Sequence, residues 1–160
     1  LIKAAEEDAK ALGAKGIAAW GITLPFWMKA SWFKKHGFER ADKNGMMVLM
    51  WKPFSPEAKK PKWIPERFDV PMVPGKVNVT VFTNGWCQAQ NIVYERAKRA
   101  ANEFGDKVSF VEFDTSEKSA ICKCGQTDAL FIDGKQVRTG PPPSYEKIRK
   151  MIEKKAKKLI

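Results

Sequence analysis

Cysteine is scarce in this 160-residue chain, with three in all, and that count is odd. A secreted disulfide framework needs dense, evenly numbered cysteines, so that class is set aside. Histidine is scarcer still, with His36 alone. Cys122-Lys123-Cys124 is too tight a spacing for most structural zinc sites, and one histidine cannot complete such a site, so no metal is expected. Long apolar runs are missing as well. None approaches the roughly 18 residues of a membrane span, and no apolar leader precedes the first helical segment. The expectation is a soluble, cytoplasmic protein with mostly reduced thiols and no membrane partner. No internal repeat is present.

What the chain does have is apolar content of 44%, aromatic content of 11% and a net charge of +11. The first two support a packed core, and the length allows one medium domain or two small ones. The charge is spread along the chain: 9 basic against 5 acidic groups in 1–52, 5 against 3 in 53–76, and 15 against 10 in 77–160. In the last segment the whole excess sits on the final helix. There Lys147, Arg149, Lys150, Lys154, Lys155, Lys157 and Lys158 face only Glu146 and Glu153. Tyr145, Ile148, Ile152, Ala156 and Leu159 give that helix one apolar stripe, which makes the lysines its solvated face. No aromatic residues interleave with the basic ones to form a base-stacking platform, so a nucleic-acid partner is not expected. An acidic cofactor such as coenzyme A would suit the same surface.

Six of the ten prolines fall between residues 53 and 74. That density forbids helix and ladder alike, so 55–76 reads as a linker between domains at 1–54 and 77–160. Trp63, Ile64, Phe68, Val70 and Met72 are too apolar for a loose tether and predict a segment pinned to a domain surface. Before it, Ile2, Ala5, Ala9 and Leu12 form a helical stripe with Glu6, Glu7 and Lys10 opposite, and Gly13 ends the helix. A short buried strand follows at 17–20. Pro25 is expected to open a second helix, at the first-turn position proline tolerates, and Gly37 to close it, with His36 as a C-terminal cap. Segments 38–40 and 46–51 read as a strand pair turning near Asn44-Gly45.

After Lys76 the pattern predicts a strand at 77–83, a helix at 87–104, a strand at 108–113 and a short helix near 117–124. Strands at 129–132 and 136–139, turning at Asp133-Gly134, and a helix at 144–158 complete it. This βαβαββα succession, strand-helix-strand-helix-strand-strand-helix, is the glutaredoxin-like core of the thioredoxin fold, and the fold class is α/β (α+β). Thr139-Gly140-Pro141-Pro142-Pro143-Ser144 is no phosphate loop, since prolines remove the N–H groups that would hold phosphate; Ser144 is an N-cap.

Trp86-Cys87 falls where the first strand of that half runs into its helix. A thiol on the first turn meets the positive end of the peptide dipoles and unpaired N–H groups, which favour thiolate. Cys87 is therefore the catalytic candidate of a thiol chemistry. Gln90, however, stands where a resolving cysteine would be, and Thr127-Asp128-Ala129-Leu130-Phe131 lacks the proline that faces the nucleophile in thioredoxin-like oxidoreductases. Cys122 and Cys124 could act as a distant resolving pair. A reactive Cys87 and a packed thiol whose partner functions have lapsed both remain open.

Ala4-Ala5-Glu6-Glu7, Ala9-Lys10, Leu12-Gly13-Ala14-Lys15-Gly16 and Ala18-Ala19-Trp20-Gly21 are followed by Trp32-Phe33-Lys34-Lys35-His36-Gly37-Phe38 and Val48-Leu49-Met50-Trp51-Lys52-Pro53-Phe54. Together they resemble the C-terminal half of the GNAT acetyltransferase fold. With the second half, the whole chain resembles the YoaP-like family, in which an acetyltransferase domain precedes a thioredoxin-like one. The resemblance implies an acetyl-CoA-dependent N-acetyltransferase acting on a small-molecule or peptide amine. It also implies cofactor contacts from the segment holding Trp27, Ser31, Trp32 and Phe33, with Trp27 and Trp32 lining a pantetheine channel. In such proteins the acetyl-CoA pyrophosphate sits on the N-terminus of the helix equivalent to 1–12, held by a preceding Arg/Gln-x-x-Gly-x-Gly/Ala turn. That turn, the first four strands and an acidic general base are not in this sequence. Phe33 stands where many members have a tyrosine that protonates the leaving thiolate.

The strand at 17–20 is therefore expected to present a bare edge. Either the chain is a truncated piece or a second polypeptide completes the sheet; the missing initiator methionine favours truncation. The expected activity is that of an N-acetyltransferase fragment with a thioredoxin-like accessory domain. The alternatives are thiol-based redox or capture at Cys87 and a non-enzymatic thioredoxin-fold adaptor.

Overall fold

In the computed structural model, which describes residues 1–25, 27–138 and 141–159, the chain divides into two units, Leu1–Trp63 and Ile64–Ile160. The architecture is mixed α/β, with two sheets and five α-helices among the described residues. The proline-rich stretch is shared between the units. No helix of the described residues is long and apolar enough to cross a membrane.

The first unit runs α1 (Ile2–Ala11), β1 (Gly16–Ile22), α2 (Ala30–Lys35), β2 (Glu39–Asn44) and β3 (Met47–Pro53). β3 lies between the other two strands and is antiparallel to both. Side chains alternate across a strand, so Ile17 and Ala19 share a face with Val48 and Met50. Phe33, Phe38, Ile2 and Met28 pack on that face and form the core of this unit. The opposite face carries Ala18, Trp20, Leu49 and Trp51, and the ring of Trp51 occupies the place a side chain at Gly16 would need. The outer edge of β1 has no strand partner among the described residues.

Three expectations for this unit are corrected. α1 turns Ile2, Glu6 and Ala9 inward and leaves Leu12 exposed. Glu6 goes inside because Lys52 meets both its carboxylate oxygens at 2.8 and 2.9 Å and also donates to the His36 carbonyl. Pro25 does not open the second helix, which begins only at Ala30. Before it, Ile22 N–H donates to the Met28 carbonyl at 2.8 Å and Met28 takes a left-handed φ of 58°, a backbone state incompatible with continuing helix. Finally, the hairpin turns at Gly45-Met46, one residue later than expected. Its first strand extends to Asn44 with an irregularity between Arg40 and Asp42. Glu39 and Asp42 hold the following segment through Lys60 Nζ (3.0 Å) and Trp63 N–H (2.9 Å).

The second unit runs β4 (Val77–Thr83), α3 (Gln88–Asn102), β5 (Val108–Asp114), α4 (Lys118–Cys124), β6 (Leu130–Ile132), β7 (Lys135–Gln136) and α5 (Tyr145–Ala156). The sheet order is β5-β4-β6-β7; β4 and β5 are parallel and the other pairs antiparallel. Val77, Val79 and Val81 of β4 pack with Val93, Ala97, Ala100 and Ala101 of α3 and Ile148 and Ile152 of α5. On the other face Phe82 and Phe131 meet Cys124, Ala129 and Phe113. The prolines leave 64–74 without ladder bonds, so its apolar residues fasten it. The Phe68 ring lies 4.8 Å from those of Phe82 and Phe113. Arg67 N–H donates to the Cys124 carbonyl, and Asn78 Oδ1 accepts Val73 N–H at 2.7 Å. Gly125, at φ 72°, ends α4 where a side chain would strike the Pro65 carbonyl.

Asp133 and Gly134 both take positive φ in the two-residue turn expected there. Ser144 Oγ caps α5 by accepting Lys147 N–H at 3.2 Å. The last strand is shorter than expected, covering Lys135–Gln136; Thr139 and Gly140 lie outside the described residues.

Candidate functional site

Beyond the C-terminal end of β4 a cleft of about 470 Å³ opens. Its walls include Cys87, Gln90, Val93, Asp128, Gln136, Arg138 and the Pro141-Pro142-Pro143 run. Cys87 is not on the first turn of α3 but one position earlier, as its N-cap, with an extended ψ of 102°. The cause is local. Asn84 Oδ1 accepts Cys87 N–H at 2.9 Å and holds that backbone outside the helix. The thiol is half-buried, and the neighbouring Trp86 is exposed. Cys87 makes no side-chain cap, so the first-turn N–H groups of α3 remain beside it.

Asn84 also reaches across the cleft floor. Its Nδ2 donates to the Thr127 carbonyl at 3.1 Å and to Asp128 Oδ1 at 2.7 Å. Gln90 is 5% exposed, and its Nε2 donates to the carbonyls of Phe82 (2.5 Å) and Ala129 (3.2 Å). Thr115 Oγ1 sits between the Thr83 and Thr127 carbonyls at 3.0 and 2.8 Å. These three polar side chains fix 127–129 opposite the thiol. On the far wall, Arg96 donates to the Pro143 carbonyl at 2.9 Å and steadies the proline run. Arg138 pairs with Glu66 at 2.7 Å.

This lock was not foreseen from the sequence, where Gln90 registered only as a missing cysteine. The readable signal was its place on the buried stripe Gln90, Val93, Ala97, Ala100. A polar residue on such a stripe must find buried partners.

Cys122 and Cys124 both lie on α4, two positions and so about 200° apart around its axis. Cys122 is exposed, whereas Cys124 is buried with its Sγ 3.1 Å from the Gln126 carbonyl and 3.2 Å from that of Ala120. Cys124 is a packed, hydrogen-bonded core thiol. Among the described residues, no three His, Cys, Asp or Glu side chains gather as a metal site would require.

The four cofactor candidates of the first unit do not converge on one cavity. Trp32 and Phe33 line a recess of about 260 Å³ with Met28 and Lys29. Ser31 lines a different one with Thr23, Lys34 and Arg40. Trp27 lies edge-on to Trp20 at 5.9 Å. Phe33 is buried among the core rings, 5.5 Å from Phe38. His36 caps α2, donating from Nδ1 to the Trp32 carbonyl at 2.8 Å and lying 4.2 Å from the Trp32 ring. A recess of about 260 Å³ falls short of the roughly 300 Å³ at which ligand pockets begin. Neither this recess nor the one beside Ser31, of about 220 Å³, is therefore large enough to enclose acetyl-CoA.

No protein-family model matches the chain, and no curated protein matches it.

Proposed function

We propose that the chain is the C-terminal portion of an acetyl-CoA-dependent N-acetyltransferase of the GNAT type, joined to a thioredoxin-like module as in YoaP-like proteins. The observation that carries this reading is the β1-β3-β2 sheet with α1 and α2 on one face and an open β1 edge. The strands that the resemblance calls for would add at that edge. The grip on the acyl carrier's pyrophosphate then comes from the Arg/Gln-x-x-Gly-x-Gly/Ala turn that the resemblance calls for and that residues 1–160 do not contain. In the second unit, the order β5-β4-β6-β7 with α3 and α5 on one face supports the thioredoxin-like assignment. Gln90, tied to two carbonyls, stands where a resolving cysteine one turn along from Cys87 would be.

The test is calorimetry with acetyl-CoA on the 160-residue chain and on the same chain extended by the residues that precede Leu1 in its parent gene. Binding and amine acetylation are expected of the extended protein alone. Tight binding by the shorter chain, or none by either, defeats the proposal. The cleft beside Cys87 favours a second reading, single-thiol capture or adaptor binding of a partner there. Alkylation of Cys87 followed against pH separates the two: a pKa near that of free cysteine removes thiol chemistry and leaves the adaptor.

A further inference from the structure

Within residues 77–160 the basic and acidic groups outside the last helix balance, 8 against 8, so the excess of five positive charges belongs to α5 and its end. The structure divides those charges into two sets. Arg149 is held by Glu103, Lys155 faces Asp133, and Lys157 is held by Glu153. Lys147, Lys150, Lys154 and Lys158 are exposed and make no ion pair among the described residues. Glu153 lies within electrostatic reach of Lys150, but its oxygens are engaged by Lys157 and Arg149. At about 100° per residue the four unpaired lysines fall within a sector of about 80°. They span about 16 Å along the axis. Three of them line an open groove of about 460 Å³ with Ser144, Glu146 and Met151, so one carboxylate stands among the three lysines.

From this stripe we infer that α5 is a docking face for the phosphate backbone of a double-stranded nucleic acid, bound without regard to sequence. Charge complementarity supplies the attraction, and four lysines on one line match a row of phosphates. The composition of the face argues against apolar-anchored occupants. A protein interface needs a desolvated aromatic or aliphatic anchor, and the groove offers only the half-buried Met151. Insertion into a lipid surface needs large exposed apolar residues, which this face also lacks. A single strand is gripped by stacking its bases on aromatic rings, and none lines the groove. Contact with a duplex backbone requires no such rings, so their absence from the sequence does not bear against it.

The test is the salt dependence of binding by the full 160-residue chain to a mixed-sequence DNA duplex of about 20 base pairs. Dissociation constants of about 10⁻⁴ to 10⁻⁶ M are expected near physiological salt. Substituting Lys147, Lys150, Lys154 and Lys158 by Gln together should flatten the slope of log K against log salt by about 3 to 4. The matched set Lys107→Gln, Lys118→Gln, Lys123→Gln and Lys135→Gln, elsewhere on the unit, should change the slope by less than about 1. Unaltered thermal unfolding of both quadruple variants establishes that the fold is intact. No duplex binding at low salt, an equal effect of the two sets, or tighter binding to phosphatidylserine vesicles than to the duplex would each overturn the proposal.

Discussion

The two sheets differ in how many of their faces are covered. In the second unit, six consecutive residues of β4, Val77 to Phe82, are buried, because helices cover one face and aromatic side chains the other. In the first unit, α1 and α2 cover one face only, and the other leaves Trp20 and Met47 at 40% and 41% exposure with Trp27 beside them. A sheet closed on both faces can frame a cleft from its own loops, as the floor beside Cys87 shows. A sheet open on one face and along one edge supplies only recesses.

The largest effect that tests this contrast is truncation of a ring on each side of it. Phe82 is fully buried against Phe68, Phe113 and Phe131, so Phe82→Ala should cost about 3–5 kcal/mol in urea unfolding. Trp20→Ala, on the open face, should cost no more than about 0.5 kcal/mol. If both substitutions cost several kcal/mol, the open face is covered in solution and the comparison fails.

Next in size is the polar lock. Gln90→Ala removes the side-chain donor to the Phe82 carbonyl, while that of Ala129 keeps the Phe82 N–H, and an unsatisfied buried group costs about 1–3 kcal/mol. The same change should speed amide exchange at 127–129, which Gln90 and Asn84 hold in place. Stability lost without faster exchange there would make Gln90 a packing residue only.

Legibility followed the same divide. β4 was readable from its β-branched residues, Val77, Val79, Thr80 and Val81, in a seven-residue stretch. α5 was readable from its stripe, and Ser144 as a cap from its place before it. What failed depended on distant partners. Glu6 reads as solvent-facing until Lys52, 46 residues away, is brought against it. Pro25 reads as a helix start until the Ile22–Met28 bond shows the chain turning elsewhere. The cleft was half legible: Cys87 stood out by position, whereas Asn84, Gln90 and Thr115 gain their roles only from carbonyls on other elements.

A smaller effect is expected from Thr80, on the same strand as Phe82. It is fully buried, and its Oγ1 has no hydrogen-bond partner among the described residues. Val preserves the shape and removes the stranded hydroxyl, so Thr80→Val should raise stability by about 1 kcal/mol. A loss instead would mean that the hydroxyl is satisfied in solution, and that this face of β4 is wetter than its rings imply.

The smallest effect concerns how the first unit fastens the proline-rich stretch. Asp42 accepts Trp63 N–H through Oδ2 and Lys43 N–H through Oδ1. The Trp63 bond first, then that of Lys43 and the nearby charge of Lys62, hold its carboxyl below the ordinary aspartate range. A depressed acid favours the folded arrangement while ionised, so this attachment is present above about pH 4 and is lost as the pH falls through the lower folded value. Protection of the Trp63 amide, corrected for intrinsic exchange, should therefore fall as the pH drops below about 4 while that of β3 amides holds. Asp42→Asn should remove that pH dependence, since its amide does not ionise in this range. Constant protection in the unaltered protein would show that the stretch is fastened by packing of Trp63 and not by the carboxylate. The contrast with Phe68, which fastens the same stretch to the second unit through rings alone, would then disappear.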